Sequence, residues 1–183
     1  MSIIQQAVEI LKSGGIIAYP TEAVFGLGCD PWREDSVLKL LKLKNRSVDK
    51  GLILISDSWD KLEHLVEPIE KSRLEKVLKT WPGPYTWIFP ARLDLVPTWI
   101  RGSRKTVALR VTAHPIASKL CQTFGKPIVS TSANREGELP ALSAVEVQKI
   151  FPTGIDYIFE GAVGNLDKPT TIMDALTENV VRT

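Results

Sequence analysis

Two polar constellations in this sequence carry the side chains needed to hold an anionic, oxygen-rich ligand. The first is Ser130-Thr131-Ser132-Ala133-Asn134, where the apolar run Ile128-Val129 breaks into three hydroxyls and an amide. Ile and Val favour a buried strand, and the polar groups that follow offer donors and acceptors where that strand ends. Ligands of open α/β sheets commonly sit beyond strand ends, which makes this a candidate binding edge, although Ser, Thr and Asn also build turns that satisfy their own backbone. The second is Lys44-x-Arg46-x-x-x-Lys50, preceded by Lys39 and Lys42. A lysine point charge and an arginine fork suit polyphosphate oxygens, and the same cations equally suit a solvated helix terminus that complements its macrodipole. Arg110 stands apart, as a charge inside the run Thr106-Val107-Ala108-Leu109-Arg110-Val111. A buried arginine is rarely left unpaired, so it meets either an internal carboxylate such as Glu22 or an anionic ligand.

Other catalytic devices are excluded by the residues present. The histidines are His64 and His114, and neither has the spacing of a paired metal ligand, so no zinc site, metal-ligating set or histidine triad is predicted. The sequence contains no GxxxxGK[ST], and Gly26-x-Gly28 runs into Asp30-Pro31 and not into a helix-opening glycine, so any nucleotide is held without a standard phosphate loop. Cys29 and Cys121 are far apart, which argues for core packing over a disulfide framework. With 23 basic and 21 acidic residues the net charge is +2, too small to mark a nucleic-acid binder by bulk charge. The first residues, MSIIQQAVEILKSGG, lack a basic n-region, and no stretch is apolar for long enough to span a bilayer. A soluble, cytoplasmic protein without a membrane partner is expected.

The elements that must position these groups alternate along the chain. Ser2 and Gln5 form a capping-box pattern ahead of a helix that Gly14 and Gly15 end. Ile16 to Tyr19, closed by Pro20, reads as a buried strand delivering Thr21 and Glu22. Val24 to Cys29 fits either a glycine-bent strand or backbone packed closely against something else. Asp35 to Lys44 is an amphipathic helix, Leu52 to Ile55 a strand, and Ser58 to Val66 and Ile69 to Leu78 two helices split by Pro68. Trp81-Pro82-Gly83-Pro84 is a rigid turn before a strand at Tyr85 to Phe89, and Leu93 to Ser103 reads as a loop or edge. The arginine strand Thr106 to Val111 precedes a helix starting at Pro115, and Ser143 with Glu146 opens another that runs to about Phe151. Ile155 to Phe159, Thr171 to Met173 and Val180 to Val181 are short closing strands, with Gly161, Gly164 and Asn165 marking a turn between the first two. This alternation predicts one α/β domain over 1–183, with a twisted, mixed sheet flanked by helices.

Taken together, five motifs occur in a telling order: Pro20-Thr21-Glu22 with Phe25-Gly26-Leu27-Gly28; Lys44-x-Arg46 with Lys50-Gly51; Trp81-Pro82-Gly83-Pro84-Tyr85-Thr86; the VALRV segment around Arg110; and Ser130-Thr131-Ser132-Ala133-Asn134. The set resembles the YrdC/TsaC family of threonylcarbamoyl-adenylate synthases over nearly the whole chain. The extra carboxyl-terminal domain of longer members has no counterpart here, so the short bacterial form is expected. The resemblance implies a sheet around a concave, basic cavity. It also implies a reaction, in which L-threonine, bicarbonate and ATP give L-threonylcarbamoyl-AMP and pyrophosphate, the first step toward threonylcarbamoyl-adenosine in tRNA. The threonine carbamate would be the nucleophile, so positioning and charge stabilisation suffice from the protein.

By the same resemblance Lys44, Arg46 and Lys50 would be catalytic, holding the ATP phosphates and the departing pyrophosphate with Mg2+ brought in alongside ATP. Ser132 and Asn134 match the family's SxN motif on the nucleotide side, joined by Thr106 and Arg182. Thr21, Arg110, Ser130 and Thr170 would form the threonine pocket, with Arg110 the partner of its carboxylate. Ala23 stands where many relatives have threonine. Downstream threonylcarbamoyl-transfer proteins would accept the adenylate. The alternative is a module whose basic cavity binds double-stranded RNA or tRNA, an activity also associated with the family and permitted by the basic run Lys39 to Lys50.

Overall fold

Nine strands form one mixed sheet in the order β7-β1-β2-β6-β3-β5-β4-β8-β9 in a computed structural model that describes residues 2–166 and 170–182. The strands are β1 (Ile17–Pro20), β2 (Phe25–Gly28), β3 (Ile53–Ser56), β4 (Tyr85–Pro90), β5 (Thr106–Val111), β6 (Ile128–Ser132), β7 (Tyr157–Ile158), β8 (Thr171–Asp174) and β9 (Val180–Arg182). The helices are α1 (Ile3–Lys12), α2 (Glu34–Leu43), α3 (Lys71–Lys79), α4 (Thr98–Arg101), α5 (Pro115–Phe124) and α6 (Ala144–Ile150). Pairs β1/β7, β3/β5 and β4/β8 are parallel and the remaining neighbours antiparallel, so the expected single α/β domain with a mixed sheet is what forms.

Alternation along the strands splits the core into two apolar layers. Ile17, Tyr19, Ile55 and Ile128 point to the face covered by α1 and α5, where Leu11, Leu120 and Phe124 meet them. Ile16, Ala18, Leu54 and Val129, their chain neighbours, join the larger cluster around Phe25, Leu40 and Phe89 on the other side. Local chemistry sets the helix ends as the sequence predicts. Ser2 and Gln5 complete a capping box on α1, Pro115 opens α5, and Gly125 ends it in the left-handed conformation at φ 81°. At α6 the Ser143 hydroxyl accepts from Glu146 N, but the Glu146 carboxylate accepts from Leu142 N, so only half of the predicted box is made.

Several predicted elements differ. Val24 to Cys29 forms a strand, one of its two readings, as β2 over Phe25–Gly28. The helix expected at Ser58 to Val66 is two 3-10 turns, Trp59–Lys61 and Glu63–Leu65, because the chain is drawn straight into a bridge between Val66 and Ala91. Glu67 N donates to Pro90 O and Arg92 N to Leu65 O, bonds that a continuing helix would forfeit. The segment read as a loop holds the four-residue α4. Gly161 to Asn165 is no local turn, since β7 pairs with β1 whereas β8 pairs with β4 at the far side of the sheet. That connection bonds to the β1 end instead, Gly164 N donating to Thr21 O and Leu166 N to Glu22 O. No helix among the described residues is long and apolar enough to cross a membrane.

Gly28 is a point of close approach between β1, β2 and β6. A methyl group there would lie 2.7 Å from Val129 O and 2.8 Å from Cε1 of the fully buried Tyr19. Neither neighbour can retreat without moving the sheet. Gly28→Ala is expected to destabilise the fold by about 1–3 kcal/mol, as overpacking does, and thermal unfolding followed by circular dichroism will read this as a melting point several degrees lower.

Candidate active site

One face of the central strands floors a cavity of about 520 Å³. Thr106, Ala108 and Arg110, alternate residues of β5, line it together with Ser130 to Ser132 of β6, Ile53 of β3 and Ile88 of β4. The β1-β2 turn adds Thr21, Ala23 and Val24, the segment between α2 and β3 adds Arg46, Lys50 and Gly51, and the last two strands with the residue before them add Thr170, Ile172, Val181 and Arg182. Nine of the eleven residues singled out in the sequence therefore share one wall system, and Lys44 and Asn134 do not line it. Six of the described lining residues are cations, Arg46, Lys50, Arg101, Arg104, Arg110 and Arg182, and no described lining residue is a carboxylate.

At one end Arg110 is buried, and of the two partners left open by the sequence the internal carboxylate, Glu22, stands beside it. Its Nη1 donates to Thr170 Oγ1 at 2.8 Å and reaches Thr86 Oγ1 at 3.5 Å, while Nη2 lies 3.7 Å from Glu22 Oε2. Glu22 Oε1 accepts from Thr112 Oγ1 at 2.6 Å and from Ala113 N at 3.0 Å. Burial works to raise the Glu22 carboxyl, but Arg110 and then the Thr112 and Ala113 hydrogen bonds outweigh it and hold its pKa below the usual range. Glu22 Oε2 and Arg110 Nε make no hydrogen bond. Gly26 keeps the neighbouring space clear, since a methyl group on it would sit 3.2 Å from Thr21 Cγ2 and 3.4 Å from Ser130 Oγ.

At the other end the cations converge from two loops. Arg46 donates from Nη2 to Gly51 O at 3.0 Å, and its Nε has no partner. Burial draws the Arg46 pKa down, and Arg182 and Arg104 add to this while Glu136 opposes it. Arg101 lies in the stretch that reads as a loop or edge and Arg104 just beyond it, and neither is among the residues the sequence singles out. Their signal was the basic cluster Arg101-x-x-Arg104-Lys105, which had no periodicity to place it. Arg104 Nη1 donates to Lys50 O at 3.1 Å and Arg101 Nη1 to Arg104 O at 2.8 Å, so this loop and the Lys50 loop form one basic wall. The wall needs two glycines in the left-handed region, Gly51 at φ 68° and Gly102 at φ 66°. A methyl group on Gly102 would be 2.4 Å from Asp49 O, so the two loops touch backbone to backbone.

Lys44 and Asn134 work behind the wall. The Lys44 ammonium is buried and donates to Ser132 O and, at 2.6 Å, to Asn134 O. The Asn134 amide accepts from Ser132 Oγ at 2.6 Å and donates to Arg135 O and Glu138 O. Together they fix the loop that carries Ser132 into the cavity. Among the described residues no group of three or more His, Cys, Asp or Glu side chains could hold a metal ion. Cys29 and Cys121 are buried and unpaired, and burial pushes the Cys121 thiol up to about 12.

Comparison with known proteins matches residues 9–183 to the Sua5/YciO/YrdC family model, whose description is telomere recombination. A threonylcarbamoyl-AMP synthase of Coxiella burnetii is 50% identical over 179 residues, covering 98% of this chain and 96% of the relative. Among solved structures, E. coli YciO superposes with a TM-score of 0.87 at 27% identity, covering 98% of this chain and 88% of that one. P. abyssi Sua5 complexed with L-threonine superposes with a TM-score of 0.88 at 34% identity, covering 93% of this chain but only 50% of that one, so the present chain spans about half of Sua5.

The burial of Lys44 has a measurable signature. Desolvation, and after it Arg46, brings its pKa from 10.5 to about 8, with Glu136 opposing. Between these values the unfolded chain keeps a proton that the folded chain has released, so folding stability rises with pH across this window. Relative to Lys44→Met, the wild-type protein is expected to gain about 2–3 kcal/mol from pH 7.5 to 10.5, at no more than about 1.4 kcal/mol per pH unit. Urea unfolding of both proteins checks this, since groups common to the two cancel, and a flat difference would show that the ammonium stays charged.

Proposed function

This chain belongs to the Sua5/YciO/YrdC family, and we infer that it is an enzyme that converts L-threonine, bicarbonate and ATP into L-threonylcarbamoyl-AMP and pyrophosphate. The observation that carries this reading is the division of one cavity into an Arg110 end and a basic wall, with no carboxylate among the described residues lining it. A zwitterionic amino acid has one carboxylate to place, and Arg110 beside Thr21, Ser130 and Thr170 offers it a charged donor framed by hydroxyls. A nucleoside triphosphate has several phosphate charges, and Arg46, Lys50, Arg101, Arg104 and Arg182 supply cations over the remaining wall. Apolar lining from Ile88, Ile100, Ile172 and Val181 gives the base a surface to pack on.

The chemistry is a nucleotidyl transfer and asks little covalent work of the protein. The threonine amine and bicarbonate combine to a carbamate with loss of water. A carbamate oxygen then forms a bond to the α-phosphorus of ATP as the bond to the β-phosphate oxygen breaks and pyrophosphate leaves. The chain's tasks are to hold the carbamate and α-phosphate together and to neutralise charge that builds on the leaving group. Arg46 and Lys50 are the residues in place for that neutralisation. Ser132 and Thr106 face the same space and would orient the nucleotide. Lys44 and Asn134 act by positioning the Ser132 loop. We place Mg2+ with ATP as part of the substrate, because the described residues offer no acidic cage for a resident ion. The adenylate would pass to a threonylcarbamoyl-transfer partner acting on tRNA. The named relatives support the synthase and give no support to the RNA-binding alternative.

Pyrophosphate release by the purified protein, with L-threonine and bicarbonate each omitted in turn, tests the reading, which fails if release does not depend on both. Arg110→Lys removes the fork and leaves a charge. It is expected to raise KM for L-threonine by about ten- to a hundredfold, the equivalent of roughly 1.5–3 kcal/mol for a charged hydrogen-bonding group, and to move KM for ATP by no more than a factor of a few. Equal losses for both substrates would contradict the assignment of Arg110 to the threonine end.

A further inference from the structure

A cavity walled by cations and free of carboxylates among its described lining residues favours ATP binding, but it also favours retention of pyrophosphate, the highly charged product. Resting on the synthase reading above, we propose that Glu136 is a built-in competitor for the phosphate-binding cations, paired with Lys50 in the free enzyme and returning to it as pyrophosphate leaves. Glu136 lies in the loop after β6 and outside the cavity lining, and its carboxylate meets the ammonium of Lys50, which lines the cavity. The Glu136 backbone N–H donates to Lys44 O at 2.9 Å, which ties the residue to the basic motif. Lys50 first, then Arg46 and Lys44, hold the Glu136 carboxyl below the usual range, so this carboxylate feels all three cations of the motif. Both partners of the bridge are partly exposed, at 50% for the Lys50 side chain and 35% for that of Glu136. An exposed pair of this kind is weak and exchanges readily, as a contact that opens in every catalytic cycle must. A phosphate drawn to Lys50 has to break the bridge and sit near a like charge, and both effects lower its affinity.

Isothermal titration of inorganic pyrophosphate and of α,β-methylene-ATP into the wild-type protein, Glu136→Gln and Glu136→Ala tests this. Both ligands are expected to bind the two variants roughly three- to tenfold more tightly, since losing one exposed ion pair and one like-charge contact each amounts to a factor of a few. L-Threonine affinity and melting temperature should stay at wild-type values, and pyrophosphate should inhibit turnover of the variants more strongly. In a Lys50→Met background the same substitutions should tighten binding by less. Unchanged or weaker pyrophosphate binding in Glu136→Gln would overturn the proposal. Tighter pyrophosphate binding in a protein that releases none from ATP would instead uphold the competition and overturn the synthase reading.

Discussion

A guanidinium buried in a central strand is the constraint around which this fold closes. Arg110 sits in β5 between β3 and β4, and its chain neighbours Leu109 and Val111 point into the larger apolar cluster. Removing such a charge from water costs several kcal/mol unless partners surround it, and losing one partner leaves an uncompensated charge. The partners come from separate parts of the chain: Glu22 from the β1-β2 turn, Thr86 from β4 and Thr170 from the approach to β8. Glu22 is itself held by Thr112 and Ala113 at the entry to α5. The site end of the cavity therefore assembles only when sheet, turn and connection are all in place. Stability and the shape of that end of the cavity rest on the same few contacts.

Charge is sorted by position more than by amount. The whole chain is nearly balanced, 23 basic against 21 acidic residues, yet the described lining of the cavity holds six cations and no carboxylate. Two acids outside the lining pair with its cations, Glu22 with Arg110 and Glu136 with Lys50. A concave wall of low dielectric focuses such a field inward. Net charge gives no sign of this, because it averages the cavity with an outer surface that carries the compensating acids.

Much of the architecture was legible because it is local. Capping boxes, a proline at a first helical turn and apolar runs of strand length gave the existence and order of most elements. What was not legible depended on distant partners. Ser58 to Val66 has an apolar pattern that fits a helix, but its backbone is claimed by the strand pairing of Val66 with Ala91. Gly161, Gly164 and Asn165 look like a tight turn, yet their segment runs from one side of the sheet toward the other and bonds to Thr21 and Glu22 on the way. The site shows the same divide. Arg110 announced itself by breaking an apolar strand, whereas Arg101 ends the single-turn helix α4 and Arg104 follows the Gly102 turn packed on Asp49, a stretch too short to reveal itself by period.

The basic motif shows how one spacing serves two purposes. Lys44 follows directly on α2 as its terminal residue, and Asn45 turns the chain through φ 53°. That bend sends the Lys44 side chain inward and leaves Arg46 and Lys50 on the cavity wall. Buried, an ammonium with three donors must find acceptors, and the carbonyls of Ser132 and Asn134 are the ones it reaches. Those carbonyls end the β6 strand, so the buried lysine locks the hydroxyl motif to the cationic one although some ninety positions separate them. The Lys44 side chain thus sets the distance between two groups of polar residues, those ending β6 and those following α2. Arg46 and Lys50 are left as the cations of the motif that line the cavity, and both keep part of their exposure.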